Sequence, residues 1–88
     1  MKAIVTVLGK DKVGIIAKVS GELSKMDVNV EDISQTVMQD YFAMMMMVEV
    51  PNGTDVAKIT ANLDELGKEI GVSIRMQHED IFNAMHRI

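Results

Sequence analysis

Residues 9–15 combine the residue types that an anion-binding turn needs, because they include two glycines, two lysines and an aspartate. Gly14 allows backbone N–H groups to approach a ligand, and the N-terminus of a following helix favours an anion such as a carboxylate. Lys10 and Lys12 add positive charge, and Asp11 can cap the helix or accept a hydrogen bond from an amine. Taken by itself, the segment is more typical of a structural cap and bend, since aspartate is a preferred cap and glycine a routine turn residue.

A second polar pair, Asn29 and Asp32, lies where the second predicted strand begins. An amide and a carboxylate at this place could hold the polar ends of an amino acid. The structural alternative is a solvated edge strand, which uses such residues to avoid pairing with another chain. In isolation, that alternative is the simpler interpretation of the pair.

Other kinds of chemistry find little support in the sequence. The chain has no cysteine, which excludes disulfides and thiolate metal sites. Its histidines, His78 and His86, would lie about two turns apart on a helix, too far to bind one metal ion without a third ligand. No Ser-His-Asp or Cys-His set is evident, and the net charge of −4 is opposite to what nucleic-acid binding needs. We therefore expect no enzymatic activity, metal site, cofactor or direct nucleic-acid partner.

The hydropathy pattern predicts the elements that must position the polar segments. Residues 2–8 and 42–50 are apolar enough for strands, residues 28–39 look extended, and residues 72–77 alternate apolar with polar side chains. Two further stretches carry apolar residues at helical spacing. These are Ile15, Val19, Leu23 and Met26 in the first, and Val56, Ile59, Leu63, Leu66 and Ile70 in the second.

Capping residues predict where the second helix begins and ends, and a glycine lies inside the first helix. Thr54 or Asp55 can cap the second helix, and Gly71 just past its last turn supplies a stop signal. Gly21 lies inside the first helix at a cost of about 1 kcal/mol relative to alanine. The usual reason to keep such a glycine is a close backbone contact, which we expect there.

The element order predicts the fold class. It is β-α-β-β-α-β, which is typical of the ferredoxin-like α+β fold with two helices on one face of a four-stranded antiparallel sheet. A short amphipathic C-terminal helix is predicted to follow, with its apolar residues at Ile81, Phe82, Met85 and Ile88. We assign residues 1–77 to one domain core and residues 78–88 to this helical tail.

The side-chain pattern of the third strand predicts that copies of the chain associate. Its side chains alternate between two faces, and Glu49 marks the face that points away from the helices. That outer face is apolar, so we predict an oligomer interface formed by Ile4, Tyr41, Ala43, Met45 and Met47. Its cover is either the C-terminal helix or a second copy of the sheet, unless both faces of a central strand simply belong to the core. We expect a homodimer or a higher oligomer.

The two polar segments together resemble the ACT domain family. The family's motif is an Asp-x-x-Gly turn that opens a helix and an Asn followed by an apolar residue at the start of the second strand. The matching residues here are Asp11-Lys12-Val13-Gly14-Ile15 and Asn29-Val30. The resemblance covers roughly residues 1–77, and Val13 stands where many ligand-binding members have proline. The chain is similar to the small stand-alone bacterial members of unassigned role.

The resemblance implies a stand-alone regulatory domain that binds a small effector, often an amino acid, near these two segments at a subunit interface. On this basis the expected ligand contacts are Asp11, Lys12, Val13, Gly14, Ile15, Asn29, Val30 and Asp32. The effect of the ligand would pass through oligomerisation or a regulated protein partner. The alternative is a ligand-free oligomerisation or adaptor module. No apolar run approaches the ~20 residues of a membrane span, and no signal peptide is evident, so we expect no membrane contact and a cytoplasmic location.

Overall fold

The computed structural model describes residues 1–10 and 14–80 of the chain. Its helices and strands follow in the predicted order, which confirms the β-α-β-β-α-β arrangement and the ferredoxin-like fold class. They are β1 (Lys2–Lys10), α1 (Ile15–Lys25), β2 (Asn29–Met38), β3 (Tyr41–Glu49), α2 (Val56–Ile70) and β4 (Ser73–His78).

The four strands form one antiparallel sheet in the order β2-β3-β1-β4, so that β2 and β4 are its edges. β1 is two residues longer than predicted, because Gly9 and Lys10 still pair with β3. Gly9 therefore belongs to the strand and not to the turn. A Cβ at this glycine would lie 2.6 Å from the side chain of Val72, so the glycine makes room for the segment that enters β4.

The core lies between the helices and one face of the sheet, which we call the inner face. On β3 this face carries Phe42, Met44, Met46 and Val48, all buried. They pack with buried residues of both helices, including Ile15, Val19, Leu23, Ile59 and Leu63. The opposite, outer face of β3 carries Tyr41, Ala43, Met45, Met47 and Glu49, as the alternation predicts.

A bulge changes the alternation of β2. Its pairing with β3 shifts between Val30 and Asp32, so that Glu31 is an extra residue with no opposite partner. Asn29 and Asp32 consequently both lie on the outer face, opposite Glu49 and Met47. Beyond the bulge, the inner face of β2 is formed by Ile33, Gln35 and Val37.

Two predictions fall on parts of the chain that the structure does not describe. Residues 81–88, which carry the apolar residues of the predicted C-terminal helix, lie outside the described residues, and so do Asp11, Lys12 and Val13. The division of the chain at residue 77 stays a prediction, and β4 ends at His78. Neither helix of the described part combines the length and the hydropathy that crossing a membrane requires.

The close contact expected at Gly21 is found at the other helical glycine instead. A Cβ at Gly21 would meet nothing within 4 Å, whereas a Cβ at Gly67 would lie 2.6 Å from the carbonyl oxygen of Val72. Gly67 also accepts a hydrogen bond from Val72 N at 2.9 Å. The expectation for Gly21 was wrong because the sequence of α1 does not show which helix lies against a later segment of the chain. That segment, at Val72, lies against α2.

The two helical glycines should respond in opposite directions to the same substitution. We expect Gly21→Ala to raise the free energy of unfolding by about 0.4–1 kcal/mol, because alanine favours the helix and restricts the unfolded chain. Gly67→Ala should lower it by about 1–3 kcal/mol, because the new methyl group overlaps a backbone carbonyl. Urea unfolding followed by circular dichroism measures both values. A Gly67→Ala variant as stable as Gly21→Ala would contradict the assigned contact.

Candidate functional site

A cavity of about 490 Å³ opens between the N-terminal turn of α1 and strand β2. It forms because β2 is an edge strand that α1 covers only in part, which leaves Val37 56% exposed on the inner face. The lining is mostly apolar, and Gln35 supplies a side-chain amide. The lining residues are Gly14, Ile15, Ile16 and Ala17 from the helix side, and Gln35, Val37 and Phe42 from the sheet.

Among residues 1–10 and 14–80, no side chain caps the helix end at this cavity. The N-cap residue of α1 is Gly14, whose φ of 86° lies in the left-handed region and which offers no side-chain acceptor. Its carbonyl oxygen accepts from Lys18 N at 3.0 Å, so the helical hydrogen bonds begin here. The first N–H groups of a helix have no partner within the helix and carry its positive dipole end. They therefore form an anion-binding site if a ligand reaches the cavity.

The second helix shows the usual alternative. At the start of α2, Asp55 accepts hydrogen bonds from Ala57 N at 3.1 Å and Lys58 N at 3.4 Å. One of the two residues that the sequence offers as a cap, Asp55, thus performs that role. Two N–H groups in the first turn of α2 are thus satisfied by a side chain of the chain itself, whereas Gly14 offers no such acceptor at the start of α1.

The structure divides the predicted ligand residues between the two faces of the sheet. Gly14 and Ile15 line the cavity on the inner side. Val30 is half-buried opposite Val48, at the border of the core and away from the cavity lining. Asn29 and Asp32 lie on the outer face, and Asp11, Lys12 and Val13 lie outside the described residues. The ligand role of these residues stays a prediction.

Sequence reasoning missed two β2 residues that line the cavity, Gln35 and Val37. The sequence feature that could have identified them is the polar Gln35 between the apolar Ile33 and Val37 on the same face of the strand. That signal depends on the bulge at Glu31, because without the extra residue the alternation places Ile33, Gln35 and Val37 on the outer face. A one-residue shift moves every later side chain of a strand to the other face.

A smaller cavity of about 240 Å³ lies on the outer face, beside Asp32. Its floor is apolar and comes from Ile4, Met45 and Met47, with Ser34 at the rim. Asp32 Oδ1 accepts a hydrogen bond from Ile33 N at 2.9 Å, so this carboxylate braces the strand just after the bulge. The predicted interface residues and Asp32 therefore share one surface.

Charged groups at the start of β1 are paired within the chain. Lys2 Nζ lies 3.0 Å from Glu31 Oε1, and the Met1 ammonium nitrogen lies 2.8 Å from Glu49 Oε2. The hydrogen bond and charge of Glu31 raise the pKa of Lys2, and the Met1 ammonium group lowers the pKa of Glu49 against a smaller effect of desolvation. The Lys2–Glu31 pair is solvent-exposed, and such pairs contribute little to stability. The Met1–Glu49 pair is partly buried. Within residues 1–10 and 14–80, no group of three His, Asp or Glu side chains is placed to bind a metal ion.

Comparison with known proteins shows relatives along the entire chain. The family model described as "ACT domain" matches residues 2–77. A UPF0237 protein from Clostridium acetobutylicum is 54% identical over 89 residues, covering 100% of both chains. A solved ACT domain protein from Streptococcus pneumoniae superimposes with a TM-score of 0.84 at 43% identity, over 93% of each chain.

A more distant solved structure shares the fold alone. A formyltetrahydrofolate deformylase from Pseudomonas putida superimposes with a TM-score of 0.80 at 18% identity. The match covers 88% of this chain and 28% of that one. The same βαββαβ unit thus also occurs as a part of larger proteins.

Proposed function

Since the chain belongs to the ACT domain family, whose members are generally ligand-binding regulatory domains, we propose that it binds a free amino acid in the cavity between α1 and β2. We further propose that the bound ligand acts by changing association with a second copy or with a regulated protein. The observation that carries the proposal is the N-terminus of α1, which has Gly14 as its N-cap and opens into a cavity of about 490 Å³.

The ligand's carboxylate has one suitable place in this cavity. The first turn of α1 lines this cavity, and the partial positive charge of its N–H groups favours an anion. Gly14 has no Cβ, and nothing lies within 4 Å of where one would be, so the backbone is accessible to a ligand atom. Gln35 lies across the cavity, and its side-chain oxygen can accept a hydrogen bond from the ligand's ammonium group.

The remaining lining favours an apolar ligand side chain. Ile16, Val37 and Phe42 offer hydrocarbon surface, and no charged residue lines this cavity among the described residues. A charged ligand side chain would lose hydration without gaining a partner. We therefore expect aliphatic amino acids and methionine to bind more tightly than aspartate, glutamate or lysine.

Association is the second part of the proposal. The cavity lies beside the open edge of the sheet, where Ile33 and Val37 are 39% and 56% exposed. A partner that approaches β2 would bury these side chains and close the cavity over the ligand. The interface predicted from Ile4, Tyr41, Ala43, Met45 and Met47 is a separate surface, because these residues lie on the outer face. Their role in association stays a prediction.

Thermal unfolding with each of the twenty amino acids tests the ligand. An amino acid present at 100 times its dissociation constant should add about 2.7 kcal/mol of stability. For a domain of this size that corresponds to a rise in Tm of roughly 10 °C or more. If none of the twenty raises the Tm, the ligand proposal is wrong and the ligand-free oligomerisation or adaptor module is favoured.

Sedimentation velocity, with and without the amino acid that raises the Tm most, tests the association. We expect the sedimentation coefficient to change when the ligand is added at micromolar protein concentration. A species of 9.7 kDa under both conditions would contradict self-association and leave only a different protein as the partner.

A further inference from the structure

The outer face of the sheet carries exposed apolar side chains that the cavity between α1 and β2 does not use. Leu8 is 53% exposed, Tyr41 62% and Met45 38%. We call these three residues the apolar strip. Ile4 also lies on this face, but it is only 6% exposed and adds little surface to the strip. The outer face of an antiparallel sheet in water normally carries polar residues, so the strip marks a contact surface.

The apolar strip lies on the two central strands and has a polar rim on each side. Leu8 of β1 is opposite Ala43 of β3, which stands between Tyr41 and Met45 on the same face. The rim residues are Asp32, Ser34 and Thr36 on β2, and Ser73, Arg75 and Gln77 on β4. An apolar centre with a polar rim is the arrangement that protein–protein interfaces show.

The two rims carry opposite charges. Asp32 is the charged residue of the β2 rim, and Arg75 is the charged residue of the β4 rim. Both are exposed, and within the part of the chain that the structure describes neither forms an ion pair. Three strand spacings, about 14 Å, separate β2 from β4. The two charges are therefore too far apart to pair within one sheet, and each complements the opposite rim of a second copy.

A second copy of the chain fits this charge pattern in one orientation. Two sheets pack face to face about 10 Å apart with their strands nearly aligned. A two-fold axis that runs along the strands, between β1 and β3, lays β2 of each copy over β4 of the other. Asp32 then faces the rim that carries Arg75 of the second copy, and symmetry repeats the contact. The two apolar strips meet at the centre.

The other aligned orientation leaves these charges without a partner. A two-fold axis that runs across the strands lays β2 over β2 of the second copy and β4 over β4. Asp32 and Arg75 then lie on opposite sides of the interface, and each rim faces a rim of its own charge. Like charges brought together disfavour a contact, so the charges select the first orientation.

We propose that two copies of the chain associate through the outer faces of their sheets, with β2 of each copy over β4 of the other. The association buries Leu8, Tyr41 and Met45 of both copies, and the contacts between Asp32 and Arg75 fix the orientation. The edge of β2 beside the cavity stays open for the ligand-dependent contact. This inference does not depend on the proposed ligand.

The absence of cysteine allows a direct test by cross-linking two single-cysteine proteins. Thr36 and Ser73 are exposed and lie in line across the sheet, because both are joined to the pair of Ala43 and Leu8. In the proposed orientation they face each other between copies. A mixture of the Thr36→Cys and Ser73→Cys proteins, treated with a short bismaleimide, should give several-fold more cross-linked dimer than either protein alone. Equal yields from the mixture and from one protein alone, or no dimer, would overturn the proposal.

Exchange of the two charges tests the orientation independently. We expect Asp32→Arg and Arg75→Asp each to raise the dimer dissociation constant about tenfold or more, because like charges then face each other. The double variant should return it to within a few-fold of the wild type. Sedimentation equilibrium over a concentration series measures these constants.

Lys68→Asp is the matched control, because it makes the same charge change at an exposed residue of α2, on the other side of the sheet. It should leave the dissociation constant within a few-fold of the wild type. A wild-type protein that stays at 9.7 kDa throughout the series contradicts the proposal. A double variant that associates as weakly as the single variants contradicts it as well.

Discussion

We expect Gly14→Asp to remove most of the rise in Tm that the proposed amino-acid ligand produces. The new carboxylate stands at the N-terminus of α1, where we place the carboxylate of the ligand, and like charges brought together in a binding site cost several kcal/mol. A loss of about 2.7 kcal/mol is a roughly 100-fold weaker dissociation constant. An amino acid that saturates the wild-type protein at 100 times its dissociation constant then raises the Tm of the variant only slightly. Thermal unfolding with and without that amino acid measures the loss.

Gly53→Asp is the matched control for this substitution. Gly53 has φ +84°, close to the +86° of Gly14, and neither glycine has an atom within 4 Å of its missing Cβ. Both variants should therefore lose a similar amount of stability, about 1–2 kcal/mol, from the left-handed conformation. Gly53 does not line the cavity, so its variant should keep the full ligand response. A Gly14→Asp variant that responds to the ligand as Gly53→Asp does would place the ligand elsewhere.

Met46→Ala lowers the free energy of unfolding by about 2–5 kcal/mol, whereas the neighbouring Met45→Ala costs about 1 kcal/mol or less. Met46 is 0% exposed and packs in the core beneath both helices. Its truncation leaves a cavity that the surrounding side chains cannot fill. Met45 lies on the outer face and is 38% exposed. The first loss is a large part of the 5–15 kcal/mol that stabilises a typical domain.

Urea unfolding of the two variants measures this difference. Both variants replace a methionine of β3 with alanine, so the two losses can be compared directly. An m-value equal to that of the wild type shows that each substitution changed the stability and not the surface exposed on unfolding. Equal losses at positions 45 and 46 would mean that the two faces of β3 are equally buried. In that case the outer face would be as closely packed as the core.

The cavity between α1 and β2 could be predicted from the sequence only in part. The turn that ends in Gly14 and Ile15 is a local pattern, and these two residues line the cavity between α1 and β2, while their ligand role stays a prediction. Asn29 and Asp32 follow a pattern that is local as well, but their place depends on how β2 pairs with β3. The extra residue Glu31 in β2 turns Asp32 to the outer face and brings Gln35 to the cavity in its place. A bulge depends on the partner strand, so its position is not evident from one strand alone.

The sequence by itself determined the order of the elements, a helix cap at Thr54 or Asp55 and the two faces of β3, and the structure assigned the cap to Asp55. Each of these follows from residues a few positions apart, through the period of two in strands, the period of 3.6 in helices and the side-chain acceptors that end a helix. Only the tertiary structure decided that Gly67, and not Gly21, meets another part of the backbone. It also decided which side of β2 faces the N-terminus of α1. Both depend on contacts between elements far apart in the chain, and such contacts have no period in the sequence.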